Sequence, residues 1–346
     1  MSLIELSHLW LTYPGASHPA LHDVSLSIEE GAILSILGPS GCGKTTILRS
    51  VAGFERPQRG KIQIAGRPVC DEVRWVPPEA RGVGMVFQDY ALFPHLTVAE
   101  NIAFGLARTS RGSADLTVTD TLNFVGLKGL GARYPHELSG GQQQRVALGR
   151  ALAPKPVVIL LDEPFSNLDP DMRGQMREEV QEILQRSGTT AVLVTHDHDE
   201  AFAMADQVAV LNAGRLEQLD TPEAIYHTPS TRFVANFVGQ ADFLPGRVEN
   251  DKVQTEIGLF ENVGAHPTGT ILEIMIRPDD VHIIPASRGI ARIVCRTFRG
   301  SENLYSVLLP SGQLLHSSEG STTVYPVGTT VELKVVATHI VLFPKI

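Results

Sequence analysis

The stretch "GPSGCGKTT", Gly38 to Thr46, follows directly on the apolar run "AILSILG". It matches G-x-x-x-x-G-K-[ST] through Gly38, Gly43, Lys44 and Thr45, and the preceding run supplies the strand that this motif requires. Glycines let successive backbone N–H groups curl around phosphate oxygens, and the helix that follows turns its positive end toward them. The motif predicts a buried strand, a phosphate loop of Gly38, Pro39, Ser40, Gly41, Cys42 and Gly43, and a helix opening with Lys44, Thr45 and Thr46. Lys44 reaches the outer phosphates of a nucleoside triphosphate, and the Thr45 hydroxyl binds Mg2+.

Two more apolar runs end in residues that carry chemistry, "PVVILLDEP" and "TAVLVTHD". Continuous runs of this kind suit strands buried on both faces of a parallel sheet. Asp162, at the end of the first, is placed to hold the Mg2+ shell, and Glu163 beside it to take a proton from an attacking water. His196, at the end of the second, reads either as a donor to the γ-phosphate that orients the water or as a structurally satisfied histidine. Gln88, in "MVFQDYALFPHL", offers its amide oxygen to Mg2+ or the attacking water, or is simply solvated. Tyr13 is a base-stacking aromatic or an exposed strand aromatic.

A third feature is at odds with helix stability. In "LSGGQQQRVALGRAL", Ser139 and Gln142 form a capping box, yet Gly140 and Gly141 occupy the first turn. The cap contributes about 1 kcal/mol, while two glycines cost up to about 2 kcal/mol relative to alanine. A helix N-terminus stripped of side chains does suit close approach by an anion.

Around these motifs, residues 1 to about 37 alternate short β-like runs with turns, and the texture from about 88 to 152 is helical. From 241 to 346 short strands with Gly, Pro and Asn/Asp turns predict a small β barrel or sandwich. This predicts two domains, 1–240 and 241–346, with a helical subdomain over about 88–152. The second holds 9 Lys and Arg against 11 Asp and Glu, and the whole chain of 346 residues carries a net charge of -9, so neither reads as a nucleic-acid binder. "MSLIELSHLWLTY" has no basic, apolar leader pattern, and no run approaches about 18 apolar residues, so any membrane role goes through a partner. Cys42, Cys70 and Cys295 are odd in number and far apart, as expected of reduced thiols.

The phosphate loop, Gln88, "LSGGQ", "LLDEP", "SNLD" (Ser166 to Asp169) and His196 occur in the order and spacing of the ATP-binding cassette ATPases, and the chain resembles that family over residues 1 to about 240. The resemblance implies an α/β fold: a RecA-like P-loop core with an antiparallel β subdomain and a helical insertion. It implies ATP and Mg2+ as cofactors, with Tyr13 as the adenine-stacking aromatic, Glu163 as general base and His196 as the switch histidine. Gln88 falls in the loop that couples nucleotide to the membrane subunit. Ser139, Gly140, Gly141 and Gln142 would bind the γ-phosphate held by a second copy, in a head-to-tail homodimer enclosing two ATP molecules.

One cassette followed by a β domain resembles the ATPase subunits of bacterial binding-protein-dependent importers, whose C-terminal domains are oligonucleotide-binding-like barrels used in dimer contact and regulation. That implies integral-membrane permease subunits as partners, a periplasmic solute-binding protein indirectly, and a place on the cytoplasmic face of the inner membrane. Leu92, Phe93, Pro94 and Leu96 then form an apolar groove for a permease helix, or else pack the helical insertion. "RWVPPEARGVGMVFQDYALFPHLTVAENIAFGL" and "VANFVGQADFLPGRV" are most like the ferric-iron (Fbp-type) importer ATPases, and sulfate, thiosulfate, polyamine and sugar importers share nearly all of those residues. A soluble cassette ATPase acting on nucleic acid or ribosomes is the alternative of a different class. The single cassette, the near-neutral tail and the lack of a long charged coiled-coil insertion between Lys44 and Ser139 weigh against it. A small-molecule kinase would leave "LSGGQ" and the β domain without a use.

Overall fold

The structure, a computed structural model, describes residues 2–106, 111–336 and 339–345, with the side chains of 111–116 left out of account. The chain divides into two compact units, Met1–Pro222 and Glu223–Ile346.

The first unit contains two sheets. Strands β1 (Ser2–Leu11), β2 (Leu21–Glu29), β4 (Arg59–Ile64) and β5 (Arg67–Cys70) form an antiparallel sheet in the order β2-β1-β4-β5. The second sheet combines β3 (Ile33–Leu37), β6 (Val83–Val86), β7 (Val158–Asp162), β8 (Thr190–Thr195), β9 (Gln207–Asn212) and β10 (Arg215–Asp220) in the order β10-β9-β3-β8-β7-β6. Its first five strands from the β6 side are parallel, with Ile33 beside Ala191, Leu161 beside Leu193 and Val83 beside Val158, while β10 runs antiparallel to β9. Every residue of β3, β7 and β8 is buried, which explains their unbroken apolar runs.

Helix α1 (Lys44–Ala52) packs on one face of this sheet, in a core shared with the antiparallel sheet. The other face is covered by α2 (Val98–Ala103), α3 (Arg111–Phe124), α4 (Gly140–Leu152) and α5 (Pro170–Ser187), whose buried residues form a second core. Helix α6 (His198–Met204) follows β8. On α4, Val146 and Leu148 are within 1% of complete burial, each contributing about 1.5–3 kcal/mol. The expected helical texture over about 88–152 holds for α2, α3 and α4, but residues 88–97 are turns, and 107–110 lie outside the described residues. Strands β4, β5, β6, β9 and β10 are additions to the sequence reading.

Arg81 is buried at the C-terminal end of α1. It donates to Ser50 O (2.7 Å), Val51 O (2.9 Å) and Val76 O (2.8 Å), and its guanidinium lies 4.4 Å from the centroid of the Trp75 ring. The cation faces the negative end of the helix, which offsets part of its desolvation.

The second unit begins at the second residue of helix α7 (Pro222–His227) and includes α8 (Arg232–Phe237), ahead of the change of texture near 241. Buried Arg277 explains this, because its guanidinium donates to Tyr226 O (2.9 Å), Ala235 O (2.8 Å) and Gln240 O (3.0 Å). Strands β11 (Asp242–Glu249), β12 (Lys252–Thr255), β13 (Gly258–Glu261), β14 (Ile271–Ile276) and β20 (Val341–Pro344) form one antiparallel sheet, in the order β13-β12-β11-β14-β20. The other contains β15 (Val281–Pro285), β16 (Ala291–Phe298), β17 (Glu302–Leu308), β18 (Leu314–Gly320) and β19 (Thr330–Val335), ordered β15-β19-β16-β17-β18. Leu244, Ile274, Ile293, Val307 and Val331 fill their common core. The unit has the two-sheet β architecture expected from its short alternating strands.

Candidate nucleotide site

Parallel strands place the loops at their carboxyl ends on one edge of the sheet, where open α/β folds gather ligand-binding groups. Four predicted segments meet there: Gly38–Gly43 after β3, Gln88 after β6, Asp162–Glu163 at the end of β7, and His196 after β8.

The phosphate loop has the backbone that its glycines permit. Gly41 and Gly43 have φ of 79° and 107°, a region that favours glycine. A Cβ on Gly43 would lie 2.3 Å from Ala20 O, and one on Gly38 would lie 2.4 Å from Leu211 O. Ser40 and Gly41 are exposed, Pro39 is half-buried, and Cys42 and Lys44 are buried. Lys44 Nζ donates to Gly38 O (2.7 Å) and Pro39 O (3.0 Å), so the ammonium lies over the loop. Burial pushes the Cys42 thiol pKa up, and the Lys44 charge opposes this in part.

Thr45 Oγ1 donates to Asp162 Oδ1 at 3.2 Å, bringing together two oxygen atoms from distant parts of the sequence. A hard divalent cation takes oxygen donors, so this pair fits Mg2+. Burial raises the Asp162 carboxyl pKa, with the Thr45 hydroxyl and the Arg49 charge acting the other way. Tyr13 Oη stands 3.3 Å from Thr46 Oγ1, which puts the phenol ring beside the first turn of α1.

Glu163 has φ of 44°, a left-handed conformation that a side chain makes costly. Its N–H donates to Val194 O (3.0 Å), and its carbonyl accepts from Ser166 Oγ (2.9 Å). These bonds hold the turn, and strain of this kind concentrates at functional sites. His196 is exposed, with Nδ1 3.4 Å from Glu163 Oε2, so the two strand ends are adjacent as expected. Gln88 is exposed, and its carbonyl accepts from Asn167 Nδ2 at 2.8 Å. Asn167, four residues after Glu163 in "SNLD", is a tie that the sequence reading did not assign.

The glycine-headed helix α4 opens on the helical insertion. Ser139 caps α4 as predicted, with Oγ accepting from Gln142 N–H (3.3 Å) and Gln142 Oε1 accepting from Ser139 N–H (3.0 Å). Ser139 and Gly140 are exposed, whereas Gly141 is buried. A Cβ on Gly141 would lie 2.5 Å from Met176 Sδ on α5. The two glycines therefore differ in degree: on exposed Gly140 a Cβ would lie 3.2 Å from Leu168 Cδ2, while Gly141 makes room for a neighbouring helix.

A groove of about 620 Å3 is lined by Phe87, Ala91, Phe93, Phe104, Arg150 and Val157, among others. Phe93 and Phe104 are 4.3 Å apart by ring centroid, and Phe104 is 57% exposed. Of Leu92, Phe93, Pro94 and Leu96, only Phe93 lines this groove, and Leu92 packs on the core of the helical insertion. No described helix is long and apolar enough to cross a membrane.

Comparison with known proteins agrees with this geometry. Residues 21–166 match the family model for ABC transporters, and residues 274–343 match that for the TOBE domain. The sulfate/thiosulfate import ATP-binding protein CysA 2 of Chromobacterium violaceum is 45% identical, over 82% of this chain and 78% of its own. The spermidine/putrescine import ATP-binding protein PotA of Methylococcus capsulatus is 44% identical, over 88% and 81%. Among solved structures, a dimeric post-hydrolysis state of an ATP-binding cassette bound to ADP and Pi superposes with a TM-score of 0.55 at 30% identity, covering 63% of this chain and 98% of that one. With a strand-borne phosphate loop, an adjoining carboxylate pair and a C-terminal β unit all in place, the chain belongs to the ABC transporter family, as an ATP-binding cassette ATPase followed by a TOBE domain.

Proposed function

We propose that this chain is the ATP-hydrolysing subunit of a binding-protein-dependent importer, acting as a head-to-tail homodimer on the cytoplasmic face of a bacterial inner membrane. The observation that carries this reading is a second anion-suited helix start, exposed at Ser139 and Gly140, in a chain that already has a complete phosphate loop. Gly38–Thr46, Asp162, Glu163 and His196 gather at one sheet edge, while the cap of Ser139 and Gly140 stands exposed on the helical insertion. A second copy completes each site.

Tyr13 stacks on adenine, the loop N–H groups and Lys44 hold the phosphates, and Thr45, Asp162 and Gln88 hold Mg2+, which neutralises charge on the transferred phosphoryl group. Glu163 takes a proton from water as the water oxygen bonds to the γ-phosphorus and the bond to the ADP oxygen breaks. His196 orients that water and donates to the γ-phosphate. Ser139, Gly140, Gly141 and Gln142 of the other copy face the same phosphate, so its release lets the two copies part.

The apolar groove supports attachment to a permease through a cytoplasmic helix of that partner. A periplasmic solute-binding protein would act through the permease. Sulfate/thiosulfate and polyamines lead as solutes because the two relatives described above are named for them; ferric iron rests on the sequence resemblance alone. Deleting the gene and measuring uptake of labelled sulfate, spermidine, maltose and ferric iron tests the solute, the importer reading failing if none changes. Purification from membranes tests the partner: a polytopic membrane protein should accompany the chain, and Phe104→Asp should release it without lowering the melting temperature. Recovery of RNA or DNA instead would favour the nucleic-acid alternative.

A further inference from the structure

Just after Gln88 the backbone is strained twice in succession, at Tyr90 with φ of 61° and Ala91 with φ of 44°. Left-handed backbone is unfavourable for residues with a side chain, so a consecutive pair needs an external hold. Arg150, in the last turn of α4, provides one: Nη1 donates to Ala91 O at 2.6 Å and Nη2 to Tyr90 O at 2.8 Å. Its guanidinium lies 5.6 Å from the centroid of the Phe93 ring. On the other side, the carbonyl of Gln88 is tied to Asn167. The Gln88 segment is thus gripped between the turn that follows Glu163 and the far end of the helix that Ser139 opens.

We propose that Arg150 is the positioning residue for Gln88: its planar fork holds the left-handed Tyr90–Ala91 pair, and that pair fixes where the Gln88 amide stands relative to the nucleotide. A lysine could hold one carbonyl but has no rigid fork for two. This rests on the reading of Gln88 as a residue of the nucleotide site. It extends that reading by giving α4 two ends with separate tasks, a phosphate cap at Ser139 and a clamp at Arg150.

The test is steady-state ATP hydrolysis by the full chain, with kcat and KM measured separately. Arg150→Met should lower kcat about tenfold or more, keep KM for ATP within about twofold, and leave Arg150→Lys in between. Adding Arg150→Met to Gln88→Ala should cause no further loss, since both changes act through one group. Ala91→Gly placed in the Arg150→Met background should recover kcat, because glycine takes the left-handed conformation without a clamp. A merely structural arginine would show no such recovery. If Gln88→Ala lowers kcat but Arg150→Met does not, or if the two losses multiply, the proposal is overturned. If Gln88→Ala leaves kcat unchanged, the reading of Gln88 itself fails and takes the proposal with it. Should Arg150→Met not fold, Arg150→Lys with and without Ala91→Gly makes the same comparison.

Discussion

Met176 Sδ occupies the space where a side chain on Gly141 would begin, 2.5 Å from the position of its Cβ. Helix propensity favours Gly141→Ala by roughly 0.5–1 kcal/mol, but the clash acts against it. Overpacking costs about 1–3 kcal/mol, toward the low end here because methionine can move. Gly141→Ala should therefore leave the melting temperature unchanged or slightly lower, and in a Met176→Ala background the same change should raise it. Thermal denaturation of the four proteins decides between packing and propensity, and a stabilised Gly141→Ala single variant would remove the packing explanation.

Ser139 presents a simpler balance. Its cap on Gln142 N–H is worth about 1 kcal/mol, so Ser139→Ala should shift melting by only a few degrees. Loss of a donor to the transferred phosphate should cost roughly a hundredfold in kcat. A large melting shift with normal hydrolysis would reduce Ser139 to a helix cap.

Glu163 should be separable from nucleotide binding. Glu163→Gln keeps the size of the side chain and removes the base, so ATP should bind and persist. Sizing with Mg2+ and ATP should then show a dimer that wild type does not accumulate, and a monomer at high protein concentration would count against the shared site.

Glu200 gives a pH prediction. It is buried behind β8, where desolvation raises its carboxyl pKa above the ordinary 4.5 and a hydrogen bond from Thr195 Oγ1, at 2.6 Å, partly offsets this. The folded state holds a proton that the unfolded state has released, so this group's contribution to stability is full below 4.5 and is lost as pH rises through the higher folded value. Glu200→Gln lacks that loss. The melting difference, variant minus wild type, should increase across this window and then level off. A difference that is flat with pH would show that the Glu200 carboxyl has the same pKa folded and unfolded, and is not raised by burial.

The parts of the site most legible in the sequence were those in which one strand carries both the fold signal and the chemistry. The apolar runs of β3, β7 and β8 end at Gly38, Asp162 and His196, so finding each strand also located its site residue. The cap at Ser139 was equally plain, because all its bonds lie within four residues. What escaped depends on contacts distant in sequence. Gly141 answers to Met176, Gln88 to Asn167, and Tyr90 and Ala91 to Arg150, and no local pattern in either partner announces the other. The start of the second compact unit at Glu223 depends on the same kind of contact, because Arg277, far along the chain, binds the carbonyls of Tyr226 and Ala235.

Arg81 gives α1 an asymmetry that bears on repeated use. The end of this helix nearest the phosphate loop gains and loses anions with each turnover, whereas its opposite end keeps a resident cation bound to Ser50 O and Val51 O. The helix field is thus balanced at one pole whatever occupies the other. That pole is satisfied by a residue of the chain itself and asks nothing of the nucleotide.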